Sequence, residues 1–263
     1  MKNITQFIKE GFKLGKNYKR PYNYYPETKE ELQDIIEKLI NKRGNEADLN
    51  DIETSKMTDM SELFYNSDFN GDISQWDVSN VENMHWMFAR SKYNGKNGNI
   101  SNWNVGNVVS MSGMFVECDF DGDLSEWDVS NVKDMHDMFY QSKFTGKNGG
   151  ISKWNVQNVT NMGLMFGSSN FNGDISDWNV RKVKNMEYMF SDSVFDGDLS
   201  KWNVDNVTNM MGMFKDSKFT GKNGDISNWN ISNNCRQRYM FKNSPLEGKE
   251  PAWYKEFVFH KVK

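Results

Sequence analysis

The chain has 263 residues, a net charge of -4, 37% hydrophobic residues and 14% aromatic residues. This balance excludes a chain drawn as a whole to nucleic acid or to anionic membranes, and its 4 prolines and steady periodicity argue against disorder. No apolar run approaches the roughly 18 residues of a membrane span, and the start lacks the apolar core of a secretory signal, so we expect neither a membrane anchor nor export by the general route.

The first 25 residues predict a separate N-terminal segment. Their beginning carries apolar residues at helical spacing, which favours an amphipathic capping helix: Ile4, Phe7, Ile8 and Phe12. Residues 11–25 are basic and rich in tyrosine, a composition that fits either a nucleic-acid-binding arm or a solvated linker packed on the next element. We favour the linker and expect no nucleic-acid partner.

Residues 26–47 predict an amphipathic helix that caps the rest of the chain. Pro26 and acidic residues open it, and Lys42, Arg43 and Gly44 close it. Its apolar face is made by Leu32, Ile35, Ile36, Leu39 and Ile40. We expect this face to cover the first of the repeats that follow.

Residues 48–244 consist of one repeated unit of 24 or 27 residues, F-x-G-D-[IL]-S-x-W-[DN]-V-x-N-V-x-x-M-x-x-M-F-x-x-S. Its tryptophans are Trp76, Trp103, Trp127, Trp154, Trp178, Trp202 and Trp229. Such a period is typical of a solenoid, in which each unit buries its apolar face only against its neighbours. Because repetition copies one surface many times, whereas catalysis needs one asymmetric cluster, the pattern favours a binding protein over an enzyme.

Each unit predicts a short strand, a cap, a short helix and a return turn. The segment around Trp76 fits an extended strand, and the apolar stripe from Val81 to Phe88 fits one or two helical turns. The methionines of that stripe favour core packing over a metal or cofactor track. The Asp or Asn after each tryptophan predicts a ladder of side-chain oxygens that accept backbone N–H groups.

Three units carry an inserted Lys-Asn-Gly, which makes them the candidate binding edge. The insertions lie within residues 93–101, 144–152 and 219–227 and predict a polar bulge on one edge of the units. Insertions in solenoids often map to the binding face. The candidate binding residues are therefore Lys96, Asn97, Lys147, Asn148, Lys222 and Asn223.

No motif predicts catalysis, a cofactor or a bound metal. The chain has no HExxH, no GxSxG and no phosphate-binding glycine loop, and His85 and His136 share one variable repeat position. The segment from Asp119 onward begins like a calcium loop but carries Ser130 where a Glu is required, so we favour a turn over a calcium site. The two cysteines lie several units apart, which predicts free thiols.

Residues 245–263 predict a C-terminal cap. The pattern decays after Trp229, although Trp253 follows 24 residues later. The aromatic segment 251–260 predicts a half unit plus a capping strand that hides the exposed end of the core.

The segments FNGDISQWDVSNV, FDGDLSEWDVSNV and VTNMMGMF resemble the bacterial surface-protein repeat of mycoplasma lipoproteins, Listeria and Bacteroidetes proteins. This repeat is grouped with the BspA-like leucine-rich repeats, and the resemblance covers about residues 48–244. It implies a right-handed, leucine-rich-repeat-like solenoid with a role in adhesion or protein–protein contact. The chain departs from that family in lacking a lipoprotein cysteine and a wall anchor, which puts surface display in doubt.

The first residues also resemble the capsid-targeting peptide of internal proteins in T-even-like phages. That resemblance implies cleavage after Glu10 in the sequence Ile8-Lys9-Glu10, so that a processed chain would begin at Gly11. The alternative is the amphipathic capping helix already described.

From these observations we expect an α/β solenoid of leucine-rich-repeat-like, right-handed coils with a helical N-terminal cap. We expect a monomer without enzymatic activity or cofactor, which binds a protein or glycan through one face. The alternative is a phage-encoded virion or capsid-packaged protein. The sequence places the chain in the cytoplasm, or in a virion if it is phage-encoded, and surface display follows only from the resemblance.

Overall fold

The computed structural model describes residues 22–256, so the predictions for residues 1–21, including the processing site at Ile8, Glu10 and Gly11, lie outside it, as do those for residues 257–263. The described part begins with one helix, α1 (Lys29–Arg43). Thr28 caps its first turn by accepting a hydrogen bond from the backbone N–H of Glu31. Gly44 ends it with φ +88°, a conformation that glycine adopts without strain.

Helix α1 shares one apolar core with the first repeat, as its apolar pattern predicts. Leu32, Ile36 and Leu39 are buried, while Ile35 and Ile40 pack at the edge of the same cluster. Polar contacts join the helix to the repeat at both ends. Lys29 Nζ donates to Ser61 Oγ at 2.5 Å, and Arg43 forms two hydrogen bonds with the Asp51 carboxylate at 2.8 and 2.9 Å.

The remaining described residues form eight stacked repeats, which we number by the residue that opens the turn of each: Met60, Met84, Met111, Met135, Met162, Met186, Met210 and Gln237. Single-residue parallel bridges join each repeat to the next, from Asp59↔Asn83 through to Asn209↔Arg236. In repeat 2, the N–H groups of four alternate residues from Met84 to Arg90 donate to carbonyls of repeat 3 at 2.7–3.0 Å. The backbone hydrogen bonds of each turn are therefore satisfied across the stack.

The short strand and short helix predicted for each unit are absent as regular elements from the repeats within residues 48–256. Each stripe predicted as a helix forms consecutive turns in which two residues have left-handed φ, such as Trp86 (φ 52°) and Arg90 (φ 58°). A left-handed residue breaks an α-helix. The N–H groups that a helix would use internally donate to the next repeat instead.

Columns of like side chains fill the interior. The phenylalanine at the fifth turn position stacks on its counterparts from Phe64 to Phe241, with ring centroids 5.4–5.8 Å apart. The seven repeat tryptophans are buried, and each indole Nε1 donates to a carbonyl of the preceding repeat at 2.9–3.3 Å. Trp253 extends this ladder by donating to Ile226 O at 2.8 Å.

The Asp or Asn after the tryptophan forms the predicted turn in six of its seven occurrences. Its Oδ1 accepts the N–H two residues later at 3.0–3.4 Å, from Asp77 with Ser79 through Asn203 with Asp205. This prediction is confirmed, because the bond is local and depends only on residue type and turn geometry.

The repeats lie closer together at their turns than at their tryptophans. Nearly parallel Trp154, Trp178 and Trp202 are 6.4–6.5 Å apart, compared with 5.4–5.8 Å for the phenylalanine column nearer the turns. The hydrogen-bonded turns themselves have the spacing of a β-ladder, about 4.8 Å. The stack therefore curves with its turns on the inner side.

Candidate functional site

The insertion edge, which comprises the loops 93–101, 144–152 and 219–227, separates the six predicted residues into two groups. The amides of Asn97, Asn148 and Asn223 donate to backbone carbonyls of the preceding repeat at 2.7, 2.7 and 2.5 Å. These side chains pin the loops to the stack. The lysines, by contrast, are exposed: Lys96, Lys147 and Lys222.

The glycine of each insertion lets the loop lie against a carboxylate of the preceding repeat. A Cβ added at Gly149 would lie 1.8 Å from Asp123 Oδ1, and Gly149 also has φ +143°. A side chain there would both clash and strain the backbone. The Lys-Asn-Gly order thus has a mechanical basis: the lysine projects, the asparagine pins and the glycine permits close approach.

A groove of about 660 Å³ lies between the loops of repeats 3 and 5. Its floor is the short segment from Asp119 to Asp123, and its walls carry side chains of both charges. The lining side chains include Asn94, Lys96, Asn99, Asp119, Asp121, Asp123, Lys143 and Asn148. A groove with alternating charges is suited to a polar, hydrogen-bonding partner.

The carboxylates of this groove are engaged within the stack. Asp121 accepts from Thr145 N at 2.7 Å, Asp123 accepts from Ser125 N at 2.8 Å, and Asp119 lies 3.9 Å from Lys92 Nζ. Among residues 22–256, no group of three or more His, Cys, Asp or Glu is placed to hold a metal ion. These aspartates serve turns, the reading that the sequence favours for this segment.

A Ser–Asp–His cluster on the turns is a feature that the sequence does not predict. Asp137 accepts from Ser112 Oγ at 3.3 Å and lies 3.2 Å from Nδ1 of His136. The hydrogen bond to Asp137 raises the pKa of His136. In nucleophilic catalysis the histidine stands between the serine and the carboxylate, whereas here the carboxylate stands between the other two. Ser112 consequently has no base positioned to activate it in this cluster.

Both cysteines are free and buried, as predicted. Cys118 Sγ lies 3.3 Å from Ser91 Oγ and 3.3 Å from Tyr93 O. Burial raises the pKa of the Cys118 and Cys235 thiols to about 11. The reactive thiolate is therefore suppressed at neutral pH.

The turn face is a second surface, and the sequence did not single it out. We define it as the side chains that lie outside the core on the turns 61–66, 85–90, 112–117, 136–141, 163–168, 187–192, 211–216 and 238–243. Trp86 lies here, the one tryptophan of the nine outside the repeat ladder. Its departure from the tryptophan period was a signal in the sequence, hidden because Trp86 occupies a variable position of the unit.

The repeats that build this stack match a family model described as "Mycoplasma protein of unknown function, DUF285", over residues 32–148 and 142–253. The chain belongs to the DUF285 family. The two DUF285 matches include most of α1 and all eight repeats. No curated protein and no solved structure matches the chain. Within residues 22–256 of this DUF285 protein, the helix present is too short and too polar to cross a lipid bilayer.

Proposed function

We propose that this DUF285 protein is a non-enzymatic scaffold whose repeats form a solenoid of the BspA-like, leucine-rich-repeat type and whose insertion edge binds a protein partner. One observation carries the proposal: three separate loops are pinned by asparagine amides while their lysines stay exposed. A rigid loop that holds out a charge limits the entropy lost on binding. The buried thiols of high pKa and the order of the Ser–Asp–His cluster support a binding role over a catalytic one.

The test is a pull-down from the native source with two matched variants. In the first, Lys96, Lys147 and Lys222 are changed to Ala. In the second, three exposed lysines away from the edge, Lys38, Lys133 and Lys249, are changed to Ala. A partner captured by the wild type and by the second variant, and lost by the first, supports the edge. Equal capture by all three proteins overturns it.

The alternative function, a virion or capsid-packaged protein, rests on the resemblance of residues 1–11 to a phage targeting peptide. The intact mass of the protein from its native source tests it. A chain that begins at Gly11 favours the virion, whereas a mass that includes residues 1–10 removes its support.

A further inference from the structure

Three aromatic side chains on the turn face lie flat against glycines of the next repeat. A Cβ added at Gly113 would lie 1.9 Å from Cδ1 of Trp86, and one added at Gly212 would lie 2.2 Å from Cε1 of Tyr188. Tyr140 lies over Gly167 in the same way, with 3.1 Å between its Cδ2 and the added Cβ. All three aromatic side chains are half-buried. Each ring therefore covers backbone on one side and leaves apolar surface toward solvent.

The three rings recur at every second repeat. Trp86 belongs to repeat 2, Tyr140 to repeat 4 and Tyr188 to repeat 6. Two steps of a hydrogen-bonded ladder correspond to about 10 Å. Tyr65, which has the turn position of Tyr140, stacks on Trp86 with a centroid distance of 5.6 Å. Rings from the two turn positions therefore share one line along the stack.

Trp86 is retained at an energetic cost that nothing in the described residues offsets. Its φ of 52° is unfavourable for a bulky residue. Its Nε1 is the buried side-chain nitrogen left without a hydrogen-bond partner within residues 22–256. Strained and unsatisfied residues that the surrounding fold holds in place concentrate at functional sites.

The charged groups beside these rings are paired with one another or with neighbouring polar groups. Arg90 binds Glu117 at 3.2 Å, and Lys215 pairs with Asp216. The remaining carboxylates accept from side chains of adjacent repeats, in Ser112→Asp137, Ser168→Asp192 and Asn209→Glu187. The line of rings thus runs through a surface whose charges are already balanced, which suits an uncharged, hydroxyl-rich ligand better than a polyion.

We propose that the line of Trp86, Tyr140 and Tyr188 binds an extended, uncharged β-1,4-linked glycan. In such a chain successive hexose rings turn over, so the same apolar ring face recurs at every second sugar, with a repeat length close to the spacing of the aromatic rings. An aromatic ring offers that face a broad apolar contact at low entropic cost. The inference deepens the proposed binding function by naming a ligand class, but it uses a different face from the insertion edge.

The test is calorimetric titration of the full chain with cellohexaose and chitohexaose, with the α-1,4-linked maltohexaose as the control for linkage. We expect binding of a β-linked hexaose that Trp86→Ala weakens about tenfold and that Tyr140→Ala and Tyr188→Ala each weaken severalfold. Trp86→Phe keeps a ring and should retain most of the affinity. Tyr25→Ala is the matched control, because Tyr25 is 63% exposed and lies outside the turn face.

Each contrary result overturns the glycan site. Absence of binding by folded wild-type protein rejects the ligand class, and equal binding of maltohexaose rejects the argument from spacing. Binding that is unchanged in all three aromatic-to-alanine variants rejects the location. The variant lacking Lys96, Lys147 and Lys222 should bind the hexaose normally, so failure of the insertion edge and failure of the glycan site are separable. The unfolding midpoint in urea shows whether each variant is folded.

Discussion

The tryptophans inside the stack and the one on its turn face are held in opposite ways. The seven interior tryptophans are 3–5% exposed, and each donates its indole N–H to a carbonyl of the preceding repeat. Trp86 is half-buried, has a left-handed backbone and has no acceptor for its Nε1 in the described chain. The same residue type is therefore satisfied where it recurs and unsatisfied where it is unique.

This contrast separates stability from function along the chain. An interior tryptophan joins two repeats both by packing and by a hydrogen bond, so every repeat needs one. The turn position of Trp86 is filled elsewhere by Glu62, Gly113, Asp137, Leu164, Tyr188, Gly212 and Tyr239. A position that accepts such different residues is not required for stacking, and a surface of such positions is free to specify a ligand.

Truncation of an interior tryptophan should give the largest effect. Trp154→Ala removes a buried ring and leaves Leu124 O without its donor, so we expect a loss of roughly 3–5 kcal/mol in unfolding free energy. Trp86→Ala should cost only about 1 kcal/mol, since its ring is half-buried and its N–H unpaired. Urea denaturation followed by circular dichroism measures both. Equal losses would erase the distinction between the two kinds of tryptophan.

Removal of the indole N–H alone sharpens the comparison. Trp154→Phe keeps an aromatic ring but removes the donor to Leu124 O, and we expect a loss of roughly 1–3 kcal/mol. Trp86→Phe removes a buried N–H that has no partner, so it should be neutral or slightly stabilising. The same denaturation experiment decides. A larger loss for Trp86→Phe than for Trp154→Phe would contradict the assignment of hydrogen bonds.

Acid should weaken the junction between α1 and repeat 1 before it weakens the apolar interior. The hydrogen bonds from Arg43 lower the pKa of Asp51 from 3.8 to about 2. Because the folded pKa is depressed, the stabilisation is complete above the unfolded value of 3.8 and is lost as the pH falls toward 2. Arg43→Met should abolish this contribution and flatten the dependence of stability on pH in that window.

Unfolding midpoints between pH 2 and pH 5 measure the effect of Arg43→Met, with Lys38→Met on the exposed side of α1 as the control. Lys38→Met should retain the wild-type pH dependence. If Arg43→Met also retains it, the Arg43–Asp51 pair does not anchor the helix.

The insertion edge should show the smallest effects, and they should differ between adjacent residues. Asn148→Ala removes hydrogen bonds to Asp121 O and Asp121 Oδ2, so we expect a loss of roughly 0.5–1.5 kcal/mol. Lys147→Ala changes an exposed side chain and should stay within about 0.5 kcal/mol of the wild type. Thermal unfolding resolves the two. An equal loss from Lys147→Ala would mean that the lysine belongs to the fold rather than to a binding surface.

The sequence by itself determined the features that depend on residue type and local spacing. The tryptophan period identified the repeats, the apolar face from Leu32 to Ile40 identified α1, and the Asp or Asn after each tryptophan identified a turn. Apolar burial and Asx turns are short-range consequences of the side chains themselves, and for this reason they can be read without coordinates.

Only the tertiary structure decided the conformation of the turns and the roles of the edge residues. The stripe from Val81 to Phe88 has helical spacing, yet its alternate N–H groups bond to carbonyls 26 residues later, such as Met84 N to Ser110 O. Asn97 likewise pins its loop to Asn70 O in the preceding repeat. Partners 24–28 residues away exist only once neighbouring repeats have stacked, and these non-local bonds override the local preference of the unit for a helix.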